Sequence, residues 1–267
     1  GTDALARLFG LEMSKALKQP VVVENKPGAG GDIAAAEVAR ANPDGYTLFL
    51  GSAATQSIAP AVYKNLSYQS PQGFQPITMV AQIPVALVVN PEVKANTVQE
   101  LLTLAKNQKD PLTFASSGTG AIPHLAGELF QQATGIKLTH IPYKGAPLAM
   151  TDLISGRVDM MFDNLPTVLP NIRAGKLRAL AIAGSKQTRA LPNVPTLAEL
   201  GIRGAEVTSW FGVFAPNGLP KPITKRLNDE IIKILAMDEV KDQLFEMGAE
   251  PFVLPTDEFN KFLDGDI

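Results

Sequence analysis

The chain has no cysteine, one tryptophan, two histidines and no excess of either charge, and each shortage removes a class of chemistry. Without cysteine there is no disulfide, no thiol nucleophile and no Cys-ligated metal; the absence fixes no compartment, because periplasmic proteins also do without it. The 24 basic and 26 acidic residues give a net charge of −2, which leaves no electrostatic footprint for nucleic acid or an anionic membrane surface. No apolar run approaches the roughly 18 residues of a membrane span, and no basic segment followed by an apolar one opens the chain, so no direct membrane insertion is expected. What remains is a globular composition, 45% hydrophobic over 267 residues, enough for one large domain or two of ordinary size.

Strands and helices alternate along it. GTDALARLFGLEMSKAL reads as a helix N-terminus, with Thr2 or Asp3 as cap and Leu5, Leu8, Phe9, Leu11 and Leu17 as the apolar stripe. The chain is therefore expected to begin mid-motif, and the closing FLDGDI, directly after the helical DEFNKFL, to end so. Next come a strand PVVVEN (20–25), a Gly-rich turn PGAGG (27–31), a helix DIAAAEVARAN (32–42), a strand YTLFLG and an irregular stretch from Ala53 to Phe74. Strands at Ile77 to Ala81 and PVALVVN (84–90) precede the helix NTVQELLTLAKNQ and the strand around Phe114. LTHIP, VDMMF and LRALAIA then alternate with helices ended by Gly156 and Gly175. An irregular 185–207, the strand SWFGVFAP (209–216) and two last clear helices, LPKPITKRLNDEIIKILAM and VKDQLFEMG, follow. Continuous apolar strands predict mainly parallel sheets flanked by helices. About ten strands strain a single open sheet, so the expectation is an α/β chain of two lobes. Their expected bounds are 1–85 with 212–267, and 86–211, with PVALVVN and SWFGVFAP crossing between them.

In open α/β sheets ligands bind beyond the carboxyl ends of strands, where helix N-termini present unpaired N–H groups and about half a positive charge. Three turns fit: Gly1-Thr2-Asp3, Pro27 to Gly31, and Ser116 to Gly120 within FASSGTGAIPHLAGELF. The last has nothing charged between Asp110 and Glu128 with His124 neutral, so backbone N–H groups and hydroxyls must do the holding. Each turn alone reads equally as an ordinary capped turn; three together suggest an anion cradle. Asp163, at the end of VDMMF, is either a helix cap or an acceptor for a ligand amine or hydroxyl. Tyr143 is placed to wall a pocket beside it, and Lys144 to be solvated. Competing chemistry finds little: GTGAIP lacks the third glycine of a dinucleotide fingerprint, no P-loop Gly-Lys-Ser/Thr occurs, and there is no G-x-S-x-G elbow. Ser116 or Ser117 with His124 as nucleophile and base, and His124 with Glu128 as metal ligands, are weaker readings than caps and solvated faces. No catalytic residue, metal or cofactor is expected.

The sequence resembles the Bug or TctC-like extracytoplasmic solute receptors of tripartite tricarboxylate transport systems. The resemblance is carried by VVVENKPGAGGDIAAAEVARANPDGYTLFLGS, FASSGTGAIPHLAGELF, HIPYKGAPLAMTDLISGRVDMMFDNLPTVLPNIRAGKLRALAIAGSKQTRALPNVPTLAELG and WFGVFAPNGLPKPI. It implies a periplasmic-binding-protein type II fold with a hinge and a solute carrying carboxylates: a dicarboxylate, a tricarboxylate or an acidic amino acid. It also implies a membrane permease as partner, and a periplasmic, secreted protein whose signal peptide is absent from these residues. Site residues implied are Thr2, Ala29, Ser52, Ala53, Thr55, Ser116, Ser117, Gly118, Thr119 and Asp163; Asp3, Gly30 and Tyr143, from the reading of the turns themselves, complete the expected ligand-binding set. A monomer is expected, since a receptor needs no symmetry. The alternatives are a small-molecule enzyme on a two-lobed α/β scaffold and a sensory receptor without transport.

Overall fold

The computed structural model describes residues 2–26, 28–184 and 186–266. Gly1 and Pro27, which belong to two of the turns singled out above, and Ser185 lie outside the described residues. The chain divides into two compact units, Gly1–Gln82 with Trp210–Glu246 and Glu250–Ile267, and Ile83–Ser209 with Met247–Ala249.

The first unit holds helices α1 (Thr2–Leu17), α2 (Asp32–Ala39), α3 (Ala59–Val62), α8 (Lys221–Ala236), α9 (Asp238–Glu246) and α10 (Thr256–Asp266). Its strands are β1 (Phe49–Ser52), the first half of β2 (Phe74–Val89), most of β7 (Thr208–Pro216) and β8 (Glu250–Leu254). β1 runs antiparallel to β7, with Phe49 opposite Phe214, and β8 antiparallel to β2, with Gln82 opposite Glu250. Aromatic rings fill this core: Phe214 lies 5.2 Å from Phe259, and Trp210 meets the same Phe259 edge-on at 5.6 Å. Gly212 on β7 leaves room for that ring, since a Cβ there would lie 2.4 Å from Phe259 Cζ.

The second unit contains the rest of β2, then α4 (Val98–Asn107), β3 (Leu112–Ser116), α5 (Ile122–Thr134), β4 (Leu138–Pro142), α6 (Ala146–Ile154), β5 (Met160–Asn164), α7 (Leu165–Arg173) and β6 (Arg178–Ile182). β3 lies between β4 and β5, parallel to both, while β2 pairs antiparallel with β5 on one side and β6 on the other. Ala115, Met161 and Val88 face α6 and α7 through Ala149, Leu153, Val168 and Leu169. Because neighbouring strand residues point to opposite faces, Phe114 and Phe162 look the other way, onto α5. There Phe130 packs on Phe162 at 5.4 Å.

The α/β class is as expected, but the pairing is mixed rather than mainly parallel. Parallel ladders follow from βαβ crossovers, and in the second unit the run β3-α5-β4-α6-β5-α7-β6 is built that way; β2, antiparallel to both of its neighbours, is inserted between β5 and β6. Three local expectations also change. PVVVEN forms no strand: its residues are without regular structure, and a β-branched run needs a ladder partner as well as propensity. The strands read at Ile77 to Ala81 and at 84–90 are one, β2, in which Pro84 falls between Gln82, the last residue paired to β8, and Val85, the first paired to β5. EPFVL, read as no strand, is β8. The expected lobe bounds at 85 and 212 compare with unit boundaries at Gln82 and Trp210, and the transfer of Met247–Ala249 to the second unit was not anticipated.

Candidate functional site

The order β4-β3-β5 has a topological switch point between β3 and β5: the chain leaves β3 for α5 on one face and β5 for α7 on the other. The carboxyl ends of these two strands are Ser116 and Asn164, so the Ser116–Gly120 turn and Asp163 stand at the strand ends where such a switch point places ligands. The next turn joins them, as Tyr143 N donates to Ser116 O at 3.0 Å and Gly145 N to Ser117 O at 3.2 Å. Tyr143 thus stands beside the turn. Its hydroxyl is already committed to Asp152 Oδ2 at 2.8 Å, and burial with that carboxylate pushes its pKa up.

Within the turn the residues divide by role. Ser116 is fully buried, and its Oγ lies 2.7 Å from His140 Nε2, 3.0 Å from Gly118 O and 3.2 Å from Gly118 N. It shapes the turn and offers nothing outward, a correction to its expected role as a ligand contact. The pair with His140 has the spacing of a nucleophile and base, but a hydroxyl enclosed by its own turn has no route to a substrate. The Ser117 hydroxyl, half-buried, has no partner among the described residues. Gly118 adopts φ +145°, and Thr119 is exposed. His124 Nδ1 accepts Gly120 N–H at 3.1 Å, and its ring stacks on His140 at 4.1 Å. The stack was not read from the sequence; the parallel register of LTFAS with LTHIP, which sets Phe114 against His140, is the signal that could have found it.

Asp163 is buried, 3% exposed. Oδ1 accepts from Asn164 N at 2.7 Å, whereas Oδ2 and the neighbouring Asn164 Oδ1 are buried with no partner among the described residues. Burial pushes the Asp163 carboxyl up to about 7. Each of these orphan acceptors calls for a donor of its own, since successive strand residues point to opposite faces. The α7 cap expected of Asp163 falls instead to Asn164, whose side chain makes no capping bond.

The turns of the first unit are built differently. Gly30 (φ +66°) and Gly31 (φ +106°) lead into α2; a Cβ at Gly30 would meet nothing, whereas one at Gly31 would lie 2.9 Å from Thr55 Cγ2. Only the backbone of Ala29 is described, within a short 3₁₀ turn. Ser52 N and Ser52 O both meet Thr55 Oγ1 at 3.2 Å, so the buried Thr55 hydroxyl closes its own turn, with buried Ala53 between. Tyr68, missed at the sequence level, ties these turns together: its hydroxyl lies 2.7 Å from Asp32 Oδ1 and 2.8 Å from Thr55 O. Gln56 is fully buried with Nε2 unpartnered among the described residues. Thr2 is exposed at the start of α1, and Asp3 is engaged by Arg7 at 2.9 Å and Asn25 at 2.6 Å, which lower its pKa. Helices α1 and α2 therefore each carry a carboxylate of their own in the first turn, Asp3 and Asp32, while α5 carries none. Of the three turns, Ser116–Gly120 is the one left for an outside anion. No group of three His, Cys, Asp or Glu able to hold a metal occurs among the described residues, and no described helix is long and apolar enough to cross a membrane.

The family model of the tripartite tricarboxylate transporter family receptor, TctC, matches residues 5–267. The chain belongs to this family. Protein BugT of Bordetella pertussis is 37% identical over 267 residues, spanning 100% of this chain and 82% of BugT. Two solved structures from Rhodopseudomonas palustris are also similar. Rpa4515 with adipate has TM-score 0.94 at 35% identity, covering 99% of this chain and 89% of that one. MatC with bound malate has TM-score 0.88 at 32% identity, covering 100% and 92%. This chain has the fold of these neighbours and is a solute receptor of the TctC family rather than an enzyme.

Proposed function

We propose that this receptor captures a small dicarboxylate, of the size range from malate to adipate, in the periplasm and delivers it to the permease of a tripartite tricarboxylate-type transporter. The observation that carries the reading is the Ser116–Gly120 turn. It stands at a topological switch point and opens a helix without an acid in its first turn, with a Ser117 hydroxyl that has no partner among the described residues. A carboxylate held there gains from the helix terminus by about 0.3–2 kcal/mol without a fixed counter-charge. Ser117, Gly118 and Thr119 are the proposed contacts, with Tyr143 as wall and Asp163 accepting from a hydroxyl or amine on the solute. No catalytic step is required, and the receptor works as a monomer.

A thermal-shift screen of ligand-stripped protein against mono-, di- and tricarboxylates, acidic amino acids and aromatic acids tests this. A solute at 100 times its Kd adds about 2.7 kcal/mol, a rise of roughly 5–10 °C for a chain of this size. Hits confined to dicarboxylates are expected; folded protein that no acid shifts would overturn the reading. Ser117→Asp places a negative charge in the turn at a half-buried position. It is expected to weaken the hit at least about 100-fold while moving the melting temperature by no more than about 2 °C. Wild-type affinity in calorimetry would remove this turn from the site.

A further inference from the structure

Resting on the reading of the Ser116–Gly120 turn as the carboxylate cradle, we propose that His124 and His140 are positioning residues that lock this turn as a stacked neutral pair and release it in acid. They are the two histidines of the chain and come from different elements, the first turn of α5 and strand β4. Their rings stack 4.1 Å apart at 23°, and Phe114 of β3 extends the pile under His140 at 4.8 Å. The pair grips the turn at both ends. His140 Nε2 meets Ser116 Oγ at 2.7 Å, which in turn receives the Gly118 N–H, and His124 Nδ1 receives the Gly120 N–H at 3.1 Å.

A ring nitrogen that accepts a hydrogen bond carries no proton, so His124 is neutral with its proton on Nε2, 3.7 Å from Glu128 Oε1. A second proton has only Nδ1 to go to, and there it displaces the Gly120 N–H. The groups bearing on the pair come from every element around it. α5 contributes Glu128, whose Oε1 lies 3.7 Å from His124 Nε2, and β3 contributes the uncharged Phe114 and Ser116. Burial first, then His124, holds His140 below the ordinary histidine range, with Glu128 partly offsetting them. Of the two rings, His124 is the one whose bond to the turn cannot survive a proton, because its Nδ1 is the acceptor of the Gly120 N–H. A pair that merely filled space would have no reason to aim one acceptor nitrogen at the turn's last amide and the other ring at its first hydroxyl.

The test follows the Gly120 amide by hydrogen exchange in the full chain without solute, at pH 7.5 and 5.5, corrected for the intrinsic pH dependence of exchange. Wild-type protection at Gly120 is expected to fall at least about 10-fold in acid. His124→Asn, whose side-chain oxygen can accept the same N–H but does not titrate, is expected to stay protected at both values. His124→Phe, which keeps the stack but not the acceptor, is expected to be unprotected at both. Equal wild-type protection at the two pH values, or a protected His124→Phe, overturns the proposal, and the wild-type arm needs no variant to fold. Because no solute is present, failure here is distinct from failure of the receptor reading, which the acid screen decides.

Discussion

Asp163→Asn is expected to make the solute-free protein more stable at pH 8 and, by the cost of the amide alone, less stable at pH 4. In the folded chain burial raises this carboxyl to about 7, so the native state keeps its proton at pH values where the unfolded chain, near 4, has lost it. A group whose folded pKa lies above its unfolded one contributes no penalty below the unfolded value. Stability then falls as pH climbs from about 4 to about 7 and is level beyond. Three units correspond to about 4 kcal/mol, of which an imperfectly bonded amide in place of the carboxylate returns about 1–3 kcal/mol. The net gain at pH 8 is about 1–3 kcal/mol, a melting temperature higher by roughly 5 °C, read from melts at pH 4, 6 and 8. The same variant is expected to weaken a hydroxy acid such as malate at least about 10-fold and adipate less, because Oδ2 is the acceptor proposed for the solute's donor. A variant less stable than wild type at every pH would show that the charge on Asp163 is not what the fold resists. A protein that tolerates such a cost without a solute exchanges stability for a poised acceptor, the pattern expected of binding sites.

The second large effect lies beneath the turn. Phe114→Ala is expected to destabilise by about 3–5 kcal/mol, since the ring is fully buried and bears on both His140 and α5. Gly127, in the middle of α5, fits this ring: a Cβ there would lie 2.3 Å from Phe114 Cε2, which explains a glycine where helix propensity disfavours one by about 1 kcal/mol. Gly127→Ala alone therefore also loses stability, and the pair Phe114→Leu with Gly127→Ala loses less than the sum of its parts. Denaturant melts of the four proteins measure that coupling. Additivity within about 0.5 kcal/mol would mean that ring and helix are not in register as described.

The strands and helices of the second unit were largely legible, because βαβ units announce themselves by apolar runs followed by small residues and capped helices. What escaped were features that depend on partners distant in sequence. EPFVL alternates poorly, its exposed position is Val253, and only the ladder with Met79 to Gln82 makes it a strand. PVVVEN has the composition of a strand but no ladder among the described residues. At the site, the position of the Ser116–Gly120 turn could be read from residue types. Which of its hydroxyls points inward could not, since Ser116 is turned by a histidine 24 residues away. Likewise the carboxylate of Asp32 at the Gly-rich turn was visible in the sequence, but its tie to Tyr68, 36 residues on, was not.

The placement of Met247–Ala249 bears on how this chain can change over evolutionary time. Gly248, at φ +80°, sits against Leu165 and Leu169 of α7, where a Cβ would lie 2.9 Å from Leu165 Cγ. The polypeptide thus passes from one unit to the other after Gln82, Ser209, Glu246 and Ala249. A cassette exchange that imported a foreign second unit through two junctions would bring in the strands and helices and leave behind the short segment that seats α7. Recombination by whole units is therefore a poor route to new specificity here, and point substitution in the turns around a retained scaffold is the accessible one.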